Sequence, residues 1–240
     1  MTTLLFREDA FLRDCKATVT AINERGGILL DRTVFYATAG GQPGDRGRLS
    51  WPGGSCAIAT TVYDEEKRPV HVPADGETPP PVGTAISAEL DWATRYRNMR
   101  AHTLMHLLCA SVPFPVTGGA ITEDGGRIDF DIPEGQIPER DALSARLNAL
   151  VAGNHMVGFR WISDEEMDAN PQLIRTLSVK PPRGTGRVRL VLIGENGGVD
   201  MQPCGGTHVA ATGEIGPVQV VKIENKGKIN RRIRVGFAGK

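Results

Sequence analysis

Four side chains have the types and the spacing to hold a metal ion. His102 and His106 stand four residues apart in Arg100-Ala-His-Thr-Leu-Met-His106. On a helix that spacing puts both imidazoles on one face, about 6 Å apart at Cβ. Cys204 and His208 bracket a short loop, Cys204-Gly-Gly-Thr-His208, which can bring a thiolate and an imidazole to one point. Three nitrogens and one sulfur suit tetrahedral zinc. Such an ion can activate water and polarise a carbonyl, or it can brace a fold, since structural zinc sites are closed by four protein ligands. A lone histidine packs in a core or sits on a surface more often than it binds metal. The i,i+4 pair leaves both readings open, and the missing glutamate of HExxH argues against a zinc protease. Cys204 alone would be a small buried hydrophobe.

Two further stretches could meet an anion. Ala39-Gly-Gly-Gln-Pro-Gly-Asp-Arg-Gly47 is glycine-rich enough for its backbone to approach a ligand closely, or it is a wide hairpin turn. Near the end, Lys222, Lys226, Lys228, Arg231, Arg232 and Arg234 face a single Glu224. That run is either a solvated face or a phosphate-binding rim.

These residues need elements to hold them. Cys15 to Ile22, Ile28 to Tyr36, Ser55 to Tyr63, Pro69 to Val72 and Thr84 to Leu90 are rich in Val, Ile, Thr and aromatics, with turn residues between. They read as strands, and a small closed barrel would remove their exposed edges. Pro79-Pro80-Pro81 reads as a stiff surface loop. Asp91 to Ser111 reads as the main helix, capped by Asp91 or Asn98 and stopped by Pro113 and Pro115. Strands follow at Val116 to Ile121, Arg127 to Ile132, Val157 to Ile162 and Val188 to Ile193. A second helix is expected at Ile137 to Ala152, where His155 beyond its end suits a cation at a helix C-terminus. A short helix opening at Ser163 and a hairpin of Val218 to Glu224 with Arg231 to Phe237 complete the chain. The expected architecture is α+β, with a β-barrel domain at 1–90 and a metal-binding domain at 91–240.

Bulk properties narrow the function class. The 28 basic and 28 acidic side chains cancel, so binding to nucleic acid requires a local patch. Cys15, Cys56, Cys109 and Cys204 form no disulfide framework, which points to a reducing cytoplasm. No apolar run approaches the roughly 20 residues needed to span a membrane, and the charged start does not read as a signal peptide.

The ordered combination resembles the editing domain of alanyl-tRNA synthetase. It is most similar to the free-standing deacylases of the AlaX type, in their medium class. The resemblance is carried by HxxxH at His102/His106, CxxxH at Cys204/His208, Thr33-Val-Phe-Tyr-Ala-Thr-Ala-Gly-Gly-Gln-Pro-Gly-Asp45, Arg127-Ile-Asp-Phe130 and Lys226-Gly-Lys-Ile-Asn-Arg-Arg232. It covers nearly the whole chain. It implies a translation-factor-like barrel followed by an editing fold related to that of threonyl-tRNA synthetase. It further implies Zn2+ on His102, His106, Cys204 and His208. Thr117 would recognise a serine hydroxyl and Gln42 would be a second catalytic residue. Gly40 and Gly41 would line the substrate cleft, and Lys222, Lys226, Lys228, Arg231 and Arg232 would meet tRNA. The implied reaction is hydrolysis of mischarged tRNA(Ala), chiefly Ser-tRNA(Ala) and also Gly-tRNA(Ala), by a monomer in the cytoplasm. Two alternatives share these residues: a non-catalytic, zinc-stabilised tRNA-binding module, and an editor of Ser-tRNA(Thr). Gly-Gly-Gln at 40–42 is also the tripeptide with which peptide release factors hydrolyse peptidyl-tRNA. Its setting among strands, followed by Pro43, makes that a weak signal.

Overall fold

The computed structural model describes residues 2–173 and 186–239. The chain divides into two compact units, Met1–Arg97 and Asn98–Lys240.

The first unit contains β1 (Thr3–Leu4), β2 (Asp14–Ile22), β3 (Ile28–Leu30), β4 (Arg32–Thr33), β5 (Gly47–Trp51), β6 (Gly54–Tyr63), β7 (Pro69–Pro73) and β8 (Ala85–Leu90). Six of these close a barrel in the order β2-β3-β7-β6-β5-β8, with β8 returning onto β2. The period of two along a strand produces its core. In β2, Ala17 and Val19 point inward while Lys16, Thr18 and Thr20 are exposed. Ile28, Leu30, Leu49, Ile58, Ile86 and Ala88 join them from the other walls.

The expected strand from Ile28 to Tyr36 is broken. β4 leaves the barrel to pair in parallel with β1, and residues 33–37 are buried consecutively rather than alternately. The cause is a buried ion pair. Arg95 donates from Nε to both oxygens of Asp45 at 3.0 and 2.9 Å, and its Nη2 contacts Asp45 and donates to Val34 O at 2.6 Å. Asp45 in turn accepts from Tyr36 N at 2.6 Å. Removing one partner of such a pair costs about 3–5 kcal/mol, so the glycine-rich segment is firmly tied. Its turn is tight, not wide. Ala39 and Gln42 bond backbone to backbone in both directions, around Gly40 at φ +54° and Gly41 at φ +81°. Positive φ at both central residues is the geometry of a two-residue turn that favours glycine. Gly44 is needed for a different reason, since a Cβ there would lie 1.9 Å from Thr61 O. β5 falls just beyond this segment. With one fully inward apolar residue, Leu49, it gives little strand signal in the sequence.

α1 (Trp92–Ser111) begins in the first unit and continues into the second. Asp91 caps it, accepting from Thr94 N and Oγ1, and Asn98 does not. The second unit adds β9 (Val116–Thr122), β10 (Gly125–Asp131), α2 (Arg140–Ala152), β11 (Val157–Ser163), α3 (Asp164–Ala169), β12 (Arg187–Ile193), β13 (Asp200–Pro203), β14 (Val218–Asn225) and β15 (Asn230–Phe237). One antiparallel sheet has the order β14-β15-β10-β9 and another β11-β12-β13. α2 starts at Arg140, three residues later than expected, because Pro138 biases Ile137 away from helix. Glu139 supplies the cap, accepting from Ala142 N at 2.6 Å. Ser163 caps α3 as its sequence predicts.

Candidate metal centre

The C-terminal half of α1 is apolar and buried almost all round, with Ala101, Leu104, Met105, Leu107, Leu108 and Cys109 buried. Such a helix belongs in an interior, and it carries His102 and His106 in with it. Cys204 follows β13 directly, and the loop after it returns His208 to the same place. Cys204 Sγ lies 3.5 Å from His102 Nε2 and 3.4 Å from His208 Nε2. The donor atoms of all four residues lie within 4.8 Å of one another. Zinc bonds of ~2.3 Å to sulfur and ~2.0–2.1 Å to nitrogen imply a tetrahedral S···N edge of ~3.6 Å. The donor set therefore fits a zinc-sized ion in both chemistry and span.

The surrounding groups orient these donors. His106 Nδ1 is 2.8 Å from Asp200 Oδ2. A carboxylate there only accepts, so Nδ1 carries the proton and Nε2 is the coordinating atom. The Thr103 hydroxyl donates to Met99 O, so it accepts from His208 Nδ1 at 3.2 Å, with the same consequence for His208. Arg189 donates from Nη1 to Cys204 O and Gly206 O, fixing the loop. Gly206 N donates to Cys204 Sγ at 3.3 Å.

The electrostatics favour a thiolate. Burial opposes charge on Cys204, but the His102 and His208 imidazoles beside it hold its thiol well below the usual range. Burial also opposes charge on His106, and the hydrogen bonds with Asp200 and Cys204 overcome it, pushing this imidazole up to about 10. Burial, followed by the charge of His102, drives His208 well below its ordinary value. A divalent cation bound by that thiolate would take the place of the His106 Nε2 proton, since a ligating imidazole is neutral.

The other residues singled out from sequence lie on other elements. Thr117 is the extra residue of a β-bulge, where β10 pairs Asp129 with Gly118 and Phe130 with Val116. Its hydroxyl donates to Asp129 O at 3.1 Å and accepts from Asn230 Nδ2 at 2.7 Å. Gly40, Gly41 and Gln42 belong to the first unit and the four metal-ligand candidates to the second. Gln42 is buried while the two glycines are exposed. On the β14–β15 hairpin, Lys222, Lys226 and Lys228 are exposed. Arg232 is held by Asp129 at 2.7 and 2.8 Å, and buried Arg231 donates to turn carbonyls.

Sequence reasoning missed Asp200, Thr103 and Arg189. A signal for Asp200 does exist. Asp200 and Gln202 are polar residues two apart, on a strand whose neighbour reads Val188-Arg-Leu-Val-Leu-Ile193. Polar groups facing an apolar strand need a buried partner.

Residues 6–94 match the family described as tRNA synthetases class II (A). Residues 188–234 match the Threonyl and Alanyl tRNA synthetase second additional domain. The alanyl-tRNA editing protein AlaX-M of Methanosarcina mazei is 31% identical over 97% of this chain and 95% of its own length. That of Pyrococcus horikoshii is 30% identical over 98% and 97%. The alanine–tRNA ligase of Pyrobaculum arsenaticum is 37% identical over 92% of this chain but 25% of its own length. The similarity is thus to one section of the ligase and to the editing proteins from end to end, and the chain belongs to the AlaX-M alanyl-tRNA editing family.

Proposed function

We propose that this protein hydrolyses the ester joining a wrong amino acid to the 3′ end of tRNA(Ala). The substrates are Ser-tRNA(Ala) and, secondarily, Gly-tRNA(Ala), and His102, His106, Cys204 and His208 hold zinc. The observation that carries the reading is the convergence of those four donors in a chain whose end-to-end relatives are alanyl-tRNA editing proteins. Bound zinc supplies a Lewis acid that polarises an ester carbonyl or acidifies water. The chain's own residues do the positioning. Asp200 and Thr103 hold two imidazoles by Nδ1, and Arg189 holds the loop.

Thr117 is assigned the serine hydroxyl. A bulge re-aims a side chain beside a site, and a group built to bond a hydroxyl rejects alanine at a cost to alanine of about 1–3 kcal/mol. Gln42, with Gly40 and Gly41, is assigned to the substrate, and Lys222, Lys226, Lys228, Arg231 and Arg232 to the RNA. The barrel is taken as translation-factor-like, and the protein as a cytoplasmic monomer.

Incubation with Ser-tRNA(Ala) tests the reaction: free serine should appear, and faster than from Ser-tRNA(Thr). Thr117→Val should lower the preference for serine over alanine about tenfold while metal content stays constant. Unchanged selectivity would remove Thr117 from the site. Four protein donors also fit a closed structural zinc, which favours a second reading as a tRNA-binding module. In that case the ester would be protected rather than cleaved.

A further inference from the structure

The sheet that carries Asp200 has a second feature on the same face. In the β11-β12-β13 register, Trp161 stands opposite Arg189, Phe159 opposite Val191, Val191 opposite Gln202, and Ile193 opposite Asp200. Residues opposite each other share a face, so Phe159, Trp161, Arg187 and Arg189 lie on the face that meets His106 through Asp200. The reverse face is core, where Ile162, Val188 and Leu190 pack with Met167. The Arg189 guanidinium lies 4.4 Å from the Phe159 ring centre, and that of Arg187 lies 4.1 Å from the Trp161 ring centre. Arg189 also holds the carbonyls of Cys204 and Gly206. A ladder of two aromatic–guanidinium pairs, with the Phe159 and Trp161 rings edge to face at 6.4 Å, therefore starts at the loop bearing the thiolate and runs out to exposed Arg187.

We infer that this ladder binds the single-stranded 3′ end of the RNA substrate, an inference that rests on the deacylase reading above. The scissile ester sits at that end, so the unpaired nucleotides before it must run outward from the metal centre. Unstacked bases bind on aromatic rings and on guanidinium planes. A guanidinium held 4.1 Å from an indole centre makes a pair that offers a base an aromatic surface and a positive charge for the adjoining phosphate. Paired bases inside a duplex have no free face to present, so the ladder selects single strand.

The test is fluorescence anisotropy with labelled RNA minihelices, with and without a single-stranded 3′ tail, using the full-length protein. The tail should tighten binding about tenfold. Arg187→Lys keeps the charge but loses the plane. It should abolish most of that preference while retaining the salt dependence of binding. Trp161→Phe should keep the preference and Trp161→Leu should lose it, with thermal melts checking that each variant is folded. Equal affinity for tailed and blunt RNA, or wild-type preference in Arg187→Lys, overturns the inference. Serine release from Ser-tRNA(Ala) is scored separately. Release without tail preference rejects the ladder alone. Tail preference without release rejects the deacylase reading and leaves the ladder as an RNA site.

Discussion

Asp200 is the residue on which the geometry of the candidate metal centre turns. Its carboxylate is buried, 2.8 Å from His106 Nδ1, and receives a second hydrogen bond from Gln202 Nε2 at 2.7 Å. A carboxylate behind a ligating imidazole fixes its tautomer and raises its basicity, and losing it typically costs 10–100-fold in metal affinity. Asp200→Ala should therefore weaken zinc binding by roughly that factor, measured by competition with a chromophoric chelator. Wild-type affinity would show that His106 needs no such partner. The four ligand candidates were legible in the sequence because i,i+4 on a helix and a four-residue loop are local facts. Asp200 was not. Its partner His106 is far away in the chain, and only the pairing of β12 with β13 turns the carboxylate inward. Thr117 was reached through resemblance rather than local signal, since the bulge that singles it out is a property of its register with β10.

Among the elements, the barrel was the more legible because alternation along β2, β6 and β8 is visible residue by residue. What alternation cannot show is where a strand must stop to serve a buried polar group, as β4 does beside Asp45 and Arg95. A second buried polar group makes the barrel sensitive to acid. His71 on β7 is fully buried, with Nδ1 bonded to Ile28 O at 3.0 Å and Nε2 to Thr33 Oγ1 at 2.8 Å. Burial holds its imidazole down to about 4, outweighing the bond to Ile28 O. The folded barrel thus keeps His71 neutral while the unfolded chain protonates it below its ordinary value of 6.5. The unfolded state binds more protons through that window. Stability is therefore full above pH 6.5 and falls as pH drops toward 4, by about 3 kcal/mol at the lower limit. Urea unfolding at a series of pH values should show this loss in the wild type. In His71→Gln the part due to His71 should be missing, with the carboxylate contributions common to both. Parallel curves would assign the acid sensitivity elsewhere.

At the scale of the whole molecule, 28 basic and 28 acidic side chains cancel, so attraction to RNA must come from places where cations outnumber their partners. Read along the chain, the β14–β15 hairpin looks like such a place throughout its length. In three dimensions much of its charge is already matched. Glu224 takes Lys222 at 3.4 Å and Arg234 at 2.7 Å. Asp129, from β10, takes Arg232 at 2.7 Å, a pairing that no reading of neighbours in sequence could reveal. Arg231 is turned onto the carbonyls of Gly227 and Lys228, shaping the turn. Lys226 and Lys228 stand exposed at its tip and pair with no carboxylate among the described residues. Of the hairpin residues assigned to the RNA, these two lysines have the least charge already matched, and each releases about one counterion on meeting a phosphate. Replacing both with alanine should make the plot of log affinity for tRNA against log salt shallower by about 1–2, while the melting temperature holds. Arg232→Ala should in addition lower the melting temperature, because it strips Asp129 of its partner. A double lysine variant with the wild-type salt slope would move the RNA contact off the hairpin and onto another face.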